Sequence, residues 1–162
     1  MNLEFLLMKI PMKLLQVKFS LELVQVEDHI QEKVSRGRRA KIIYFKEEEN
    51  KIIATHDGYK RIGAIHTRCY SKLEQKVIIE DIIESNKLHK IESFLHFHPD
   101  CNINFEENKI TVDSHITILF NSHSNLVCEE YDFPLGYNRT KKAYKIRTSA
   151  ETKSKIEISY EN

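Results

Sequence analysis

Four basic side chains that could hold an anionic ligand lie close together in the sequence. His56 and Arg61 flank the start of a short connection, and His66 and Arg68 follow on the next apolar segment. The dipeptide Asp57-Gly58 in this connection is a strong hairpin signal. Because a hairpin brings its two strands side by side, we expect one polar cluster that could contact an anionic sugar. The alternative is a hairpin with only a structural role.

A second group with chemical potential is the pair His96 and His98. On a β-strand, residues two apart point to the same face about 7 Å apart. Two imidazoles so placed could share one zinc ion at bonds of about 2.0–2.1 Å, with Asp100 or His115 as a third ligand. The alternative is a pair of ordinary histidines on the face of an exposed strand.

A third group is the basic turn that contains Arg36, Arg38 and Arg39 around Gly37. A guanidinium group matches the planar oxygens of a carboxylate or sulfate, so Arg38 and Arg39 could bind an acidic sugar. Surface arginines paired with nearby glutamates are the alternative interpretation.

The composition is consistent with one domain of 162 residues that carries a net charge of +1. Such a balance gives no overall field that would recruit nucleic acid or an acidic membrane, and no segment is long enough to cross a bilayer. Three cysteines without paired spacing favour reduced thiols. We treat residues 1–17 as a poorly determined apolar leader. Glu4 and Pro11 interrupt it and no cleavage signal follows, so we expect no signal peptide and a cytoplasmic location.

Short segments of alternating or continuous apolar residues recur from residue 18 to the end. They are bounded by Asn, Asp, Ser and Lys, and no segment keeps a helical period. About a dozen short strands at this spacing predict an all-β fold, an antiparallel β-sandwich over residues 18–162. The predicted strands include 41–45, 76–81, 90–98, 102–105, 109–112, 115–120, 126–131, 142–147 and 155–160.

The order of the motifs resembles the carboxyl-terminal β-sandwich of the heparinase II/III-like polysaccharide lyases. The resemblance rests on a Gly-Arg-Arg-Ala turn at residues 37–40, His-Asp-Gly-Tyr at 56–59, and the pair His66 and Arg68. It continues with Leu-His-Phe-His-Pro at 95–99 and Phe-Pro-Leu-Gly-Tyr at 133–137. No single motif is specific for this family, but the ordered succession of the motifs over residues 20 to 137 is specific.

The resemblance implies a relation to enzymes that cleave uronate-containing polysaccharides by β-elimination. It also implies that most catalytic groups lie on an amino-terminal α/α-toroid, and this sequence has no helical counterpart of that toroid. The resemblance also implies the tripeptide His-Asn-Thr just before the first sandwich strand, with its histidine as a metal ligand. The aligned residues here are Lys18, Phe19 and Ser20. Lysine does not substitute for a neutral imidazole on zinc.

We therefore expect a β-sandwich fragment of such a lyase, inactive alone and at most binding acidic polysaccharide. The predicted sugar-contacting residues are Arg38, Arg39, His56, Arg61, His66 and Arg68. One alternative is a non-catalytic subunit that docks on a separately encoded toroid. Another is a small metal-binding β module that uses His96 and His98, with zinc as its cofactor.

Overall fold

The structure is a computed structural model that describes residues 18–25, 40–120 and 125–161. The leader at residues 1–17 and the predicted sugar contacts Arg38 and Arg39 lie outside the described residues. Within the described ranges the chain forms twelve β-strands and one turn of 3-10 helix at Lys60–Ile62. None of the described residues forms a helix long and apolar enough to cross a membrane.

The strands are numbered in chain order. Their bounds are β1 (Lys18–Gln25), β2 (Ile42–Glu48), β3 (Lys51–His56), β4 (Ala64–Leu73), β5 (Lys76–Ser85), β6 (His89–His96), β7 (Ile103–Glu106), β8 (Lys109–Val112), β9 (Ile116–Phe120), β10 (Asn125–Gly136), β11 (Arg139–Ala150) and β12 (Lys153–Tyr160).

Two antiparallel sheets contain all of these strands. The smaller sheet has the order β1-β6-β11-β10, and the larger has the order β2-β3-β4-β5-β12-β9-β8-β7. The predicted all-β antiparallel sandwich of about a dozen strands is therefore confirmed. The chain moves from one sheet to the other several times, as is common in β-sandwiches.

The main hydrophobic core draws on both sheets. Leu95 and Ile146 come from the smaller sheet, and Ile79, Ile118 and Ile158 come from the larger. Core residues recur at every second position along a strand, as Ile156 and Ile158 do on β12. Each strand therefore presents one apolar face to the interior. A smaller cluster contains Ala64 and Ile83, with Tyr59, Ile62 and Ala150 packed against it. The polar residues described below lie next to this second cluster.

Several strand bounds differ from the prediction. Strand β2 continues to residue 48, beyond the predicted end at residue 45, because its backbone pairs with β3 up to Glu48 and Lys51. Strands β10 and β11 are twelve residues long, since their register continues far beyond the apolar part of each sequence. Strand β6 ends at His96, and His98 lies beyond it.

The predicted two-residue hairpin turn at Asp57-Gly58 is also wrong. Strands β3 and β4 do pair antiparallel, with His56 opposite His66. Residues 57–63 connect them, because the Lys60 amide donates to the Asp57 carbonyl and starts the 3-10 turn. Gly63 then ends that turn with φ of 77°, a left-handed conformation that glycine adopts readily.

Candidate functional site

A chain of hydrogen bonds joins four polar side chains from β3, β4 and β5. Nε2 of His56 lies 2.8 Å from Nδ1 of His66, and Nε2 of His66 lies 2.7 Å from Oδ1 of Asp81. Arg68 donates to both carboxylate oxygens of Asp81, at 2.6 Å through Nε and 3.0 Å through an Nη atom. We call His56, His66, Arg68 and Asp81 the polar network.

Strand register places these residues together. His56 is opposite His66, and Arg68 is opposite Asp81, in neighbouring strand pairs of the larger sheet. Directly opposite residues point to the same face of an antiparallel pair. Because His66 and Arg68 are two apart on β4, all four side chains share the face that turns toward the core.

The hydrogen bonds fix the proton positions on both rings. The Gly58 amide donates to Nδ1 of His56 at 3.1 Å, so this nitrogen must be an acceptor. His56 then carries its proton on Nε2 and donates to His66, which in turn donates from its own Nε2 to the Asp81 carboxylate. All four ring nitrogens are therefore engaged in hydrogen bonds.

Burial and charge shift two pKa values in directions that stabilise this arrangement. Burial lowers the pKa of His56, and the neighbouring His66 and Arg68 lower it further, which favours the neutral ring. Burial by itself would raise the pKa of Asp81, but the hydrogen bonds from His66 and Arg68 outweigh it and the pKa is lowered. The carboxylate is thus ionised between two donors.

The network is mostly enclosed. The side chains of His66, Asp81 and Arg68 are 6%, 2% and 18% exposed, and His56 is half-buried. The predicted sugar contacts His66 and Arg68 are therefore occupied by Asp81 and largely shielded from solvent. This geometry suits side chains that position an exposed site and do not themselves contact its ligand.

The exposed element above the network is the connection at residues 57–63. A carboxylate oxygen of Asp57 accepts the Lys41 amide at 2.7 Å, and the Asp57 amide donates to the Lys41 carbonyl at 3.1 Å. The hydroxyl of Ser85 donates to the Gly63 carbonyl at 3.0 Å. Tyr59 lies with its ring centroid 5.6 Å from that of His56. Both ends of the connection and its middle are thus attached to the sheet.

Three exposed cations surround this connection: Lys41, Lys60 and Arg61. Among the ion pairs of the described residues, none involves these three side chains. Of the predicted sugar contacts that the structure describes, Arg61 is thus the one with an exposed, unpaired charge. Two further cations, Lys41 and Lys60, were not predicted.

Asp81 is the network residue that sequence reasoning missed. Its strand carries apolar residues at Val77, Ile79 and Ile83, and Asp81 occupies the same phase. A charged residue in the core-facing phase of a strand is rarely buried without a partner. That signal could have pointed to a buried ion pair, although not to the identity of its partners.

The proposed metal ligands His96 and His98 lie elsewhere, beside β10. The His96 ring lies 5.0 Å from that of Tyr131, and the His98 ring lies 4.9 Å from that of Phe133. Asp100 is 3.5 Å from His98 but also forms an ion pair with Lys141. Among the described residues, no three His, Cys, Asp or Glu side chains are grouped to hold a metal ion. Zinc binding by this pair stays a prediction.

Two open surface depressions, of about 490 and 620 Å³, lie away from the polar network. The first is lined by residues of β4, β5, β9 and β12 with their turns, including His115 and Tyr160. The second is lined by residues 106–109 with Leu119 and Phe120. The exposed cations above the network therefore lie on an open surface outside both depressions.

The fold and the polar network define a two-sheet β-sandwich with a buried histidine–aspartate–arginine group beneath a basic connection. The family model described as heparinase II/III-like, C-terminal, matches residues 24–161. The chain therefore belongs to the heparinase II/III-like C-terminal domain family, as the ordered motifs predicted. No curated protein sequence matches the chain.

Solved structures show the same fold. The heparan sulfate lyase HepC from Pedobacter heparinus matches with a TM-score of 0.62 and 14% identity, over 76% of this chain and 22% of that chain. A heparinase III matches with a TM-score of 0.59 and 9% identity, over 74% of this chain and 21% of that chain. This chain thus matches about a fifth of the length of those structures.

Proposed function

We propose that this chain is the β-sandwich module of a heparinase II/III-like lyase, and that it binds uronate-containing acidic polysaccharide without cleaving it alone. The observation that carries the proposal is a group of unpaired, exposed cations: Lys60 and Arg61 on the connection at residues 57–63, and Lys41 beside it. Cations of this kind pair with the carboxylates and sulfates of acidic sugars.

The attached connection favours binding because its cations need little further ordering. A flexible loop loses conformational freedom when it closes on a ligand, and that loss weakens binding. Here the Asp57 contacts with Lys41 and the Ser85 contact with Gly63 already fix both ends. In this proposal, His56, His66 and Arg68 position the connection, and Lys60 and Arg61 contact the sugar.

The hydrogen bonding of the network also supports binding without catalysis. β-Elimination needs a base to remove the proton beside the uronate carboxylate and an acid for the leaving oxygen. Nδ1 of His56 accepts from Gly58, and Nε2 donates to His66. Neither ring has a nitrogen available for proton transfer in this arrangement, so the missing groups would come from another polypeptide region.

The experiment is calorimetric titration of the chain with heparan sulfate at low ionic strength. The Lys60→Ala/Arg61→Ala variant is expected to bind about 2- to 30-fold more weakly, because each exposed charge pair contributes about 0.2–1 kcal/mol. The matched control is Lys109→Ala/Arg139→Ala, which removes two exposed cations from β8 and β11.

Equal loss of affinity in both double variants would mean nonspecific charge attraction and would refute the proposed site. Absence of measurable binding by the unaltered chain would refute the binding function itself. In parallel, incubation with heparan sulfate should yield no unsaturated uronate product. Detection of that product from the purified chain would refute the claim that it is inactive alone.

A second candidate function is that of a subunit that docks on a toroid. The specific observation is the edge strand β2, where Ile42, Ile43, Tyr44 and Phe45 are 68%, 55%, 51% and 44% exposed. Four consecutive large apolar residues on an edge strand are unusual for a surface left in water. A larger polypeptide that covered β2 would remove this exposure.

This candidate is tested with the helical region of a heparinase II/III-like lyase from which its own β-sandwich has been removed. The chain should bind that region, and Ile43→Lys/Phe45→Lys should abolish binding. Leu88→Lys/Leu119→Lys, which alters two other exposed apolar residues, should not. Binding that survives the β2 changes would exclude β2 as the docking surface.

A further inference from the structure

The interior of the sandwich changes from apolar to polar between its two hydrophobic clusters. Ile79 and Ile146 belong to the larger cluster, whereas Ile83 and Ala150 belong to or pack against the smaller one. Ile79 and Ile83 are on β5, and Ile146 and Ala150 are on β11. The two strands therefore run between the same two clusters on opposite sheets.

Halfway between these apolar positions each strand carries a buried polar residue. Asp81 lies between Ile79 and Ile83 and is 2% exposed, and Thr148 lies between Ile146 and Ala150 and is 3% exposed. Alternate residues of a strand share a face, so both side chains face the interior between the two clusters. We call Asp81, Thr148 and their buried polar neighbours Ser93 and His89 the interior polar layer.

The two sides of this layer differ in hydrogen bonding. Asp81 accepts hydrogen bonds from His66 and Arg68. On the smaller sheet, the hydroxyls of Ser93 and Thr148 and both ring nitrogens of His89 have no hydrogen-bond partner within the described part of the chain. Ser93 and His89 are only 4% and 5% exposed, so bulk solvent does not reach them freely.

Strand register brings two of these unpaired groups together. Ser93 and Thr148 are directly opposite each other in the β6–β11 pair. Opposite side chains in an antiparallel pair have Cβ atoms about 4.5–5.5 Å apart, a separation that one water molecule can bridge. His89 lies four residues before Ser93, on the same face of β6.

We propose that the interior polar layer binds water, with at least one molecule bridging the hydroxyls of Ser93 and Thr148. Buried polar groups in native proteins are almost always paired, and ordered water pairs those that protein groups do not reach. Water suits these groups because it can both donate to and accept from hydroxyls and ring nitrogens. The nearby charge of Asp81 is already balanced by Arg68.

The decisive experiment is a crystal structure of the chain at a resolution that orders internal water. We expect density within hydrogen-bond distance of both the Ser93 and the Thr148 hydroxyl, and its loss in Ser93→Ala/Thr148→Val. A well-ordered layer without water density in the unaltered chain would overturn the proposal.

Thermal unfolding supplies an independent measurement. Thr148→Val removes a hydroxyl but keeps the shape of the side chain. It should lower Tm by about 2–4 °C if a bound water loses a partner. If the layer is dry, removal of an unpaired hydroxyl should raise Tm instead, and that result would overturn the proposal. Thr117→Val changes a partly exposed residue of β9; it is the matched control and should change Tm little.

Discussion

His56 and His66 lie directly opposite each other on β3 and β4, and a 2.8 Å hydrogen bond joins their rings. The first ring accepts a hydrogen bond from the exposed connection through Gly58, and the second donates to the buried Asp81. The two rings therefore link the basic surface to the interior. A substitution at one end of this chain of hydrogen bonds should therefore have a measurable effect at the other end.

Replacement of Asp81 should cause the largest loss of stability in the network. Asp81→Asn leaves Arg68 buried with an uncompensated charge, and loss of one partner of a buried ion pair costs about 3–5 kcal/mol. Chemical denaturation should report this decrease in the free energy of unfolding. Glu80→Gln changes the neighbouring residue on the opposite face and should cost less than about 1 kcal/mol. Similar losses in both variants would contradict the assigned role of Asp81.

Stability should fall as the pH drops below the usual pKa of histidine. The pKa of His56 is lowered in the folded chain, while the unfolded value is about 6.5. Below that pH the unfolded chain binds more protons than the folded chain. The contribution of His56 to stability is therefore fully present above pH 6.5 and decreases as the pH falls toward the lowered folded pKa. Tm measured across this range should decrease with acidity.

The same measurement on two variants isolates the contribution of His56. His56→Gln should flatten the dependence of Tm on pH, whereas His115→Gln, at an exposed position, should leave it unchanged. An identical pH dependence in the unaltered chain and in His56→Gln would show that His56 does not contribute.

A methyl group at residue 58 should disturb the network from its exposed end. A Cβ atom added to Gly58 would lie 2.9 Å from Nδ1 of His56 and 3.2 Å from the Cβ of Ala40. Both ring nitrogens of His56 are engaged, so the ring cannot move without loss of a hydrogen bond. Gly58→Ala should lower stability by about 1–3 kcal/mol, as measured by denaturant titration, and weaken heparan sulfate binding. Unchanged stability and binding would contradict a fixed position for His56.

Adjacent residues of β9 offer a test of the two-sheet core. Ile118 is 0% exposed within the larger cluster, whereas Leu119 is 42% exposed. Ile118→Ala should cost about 2–5 kcal/mol through lost burial and a residual cavity. Leu119→Ala should cost less than about 0.5 kcal/mol, as is typical of surface positions. Comparable losses measured by denaturation would contradict the assigned faces of β9.

The sequence alone determined the class of fold and the family. Alternation of apolar and polar residues is a local property, so it predicts strands and their buried faces wherever one side is solvated. The succession of motifs from residue 37 to residue 137 predicted the heparinase II/III-like relationship that the family match confirms. Of the predicted cluster, His56, His66 and Arg68 do lie together, because two of them are on one strand and the third is on its antiparallel partner.

Only the tertiary structure decided which partners these residues contact. Asp81 lies on a third strand, and its contacts with His66 and Arg68 depend on the β4–β5 register, which no local pattern specifies. Arg68 is buried in an ion pair with Asp81, whereas Arg61 is exposed, although both arginines lie near the same connection. The interior layer of Ser93 and Thr148 likewise arises from the pairing of β6 with β11. Burial and pairing depend on contacts between distant segments, and these are set when the two sheets pack together.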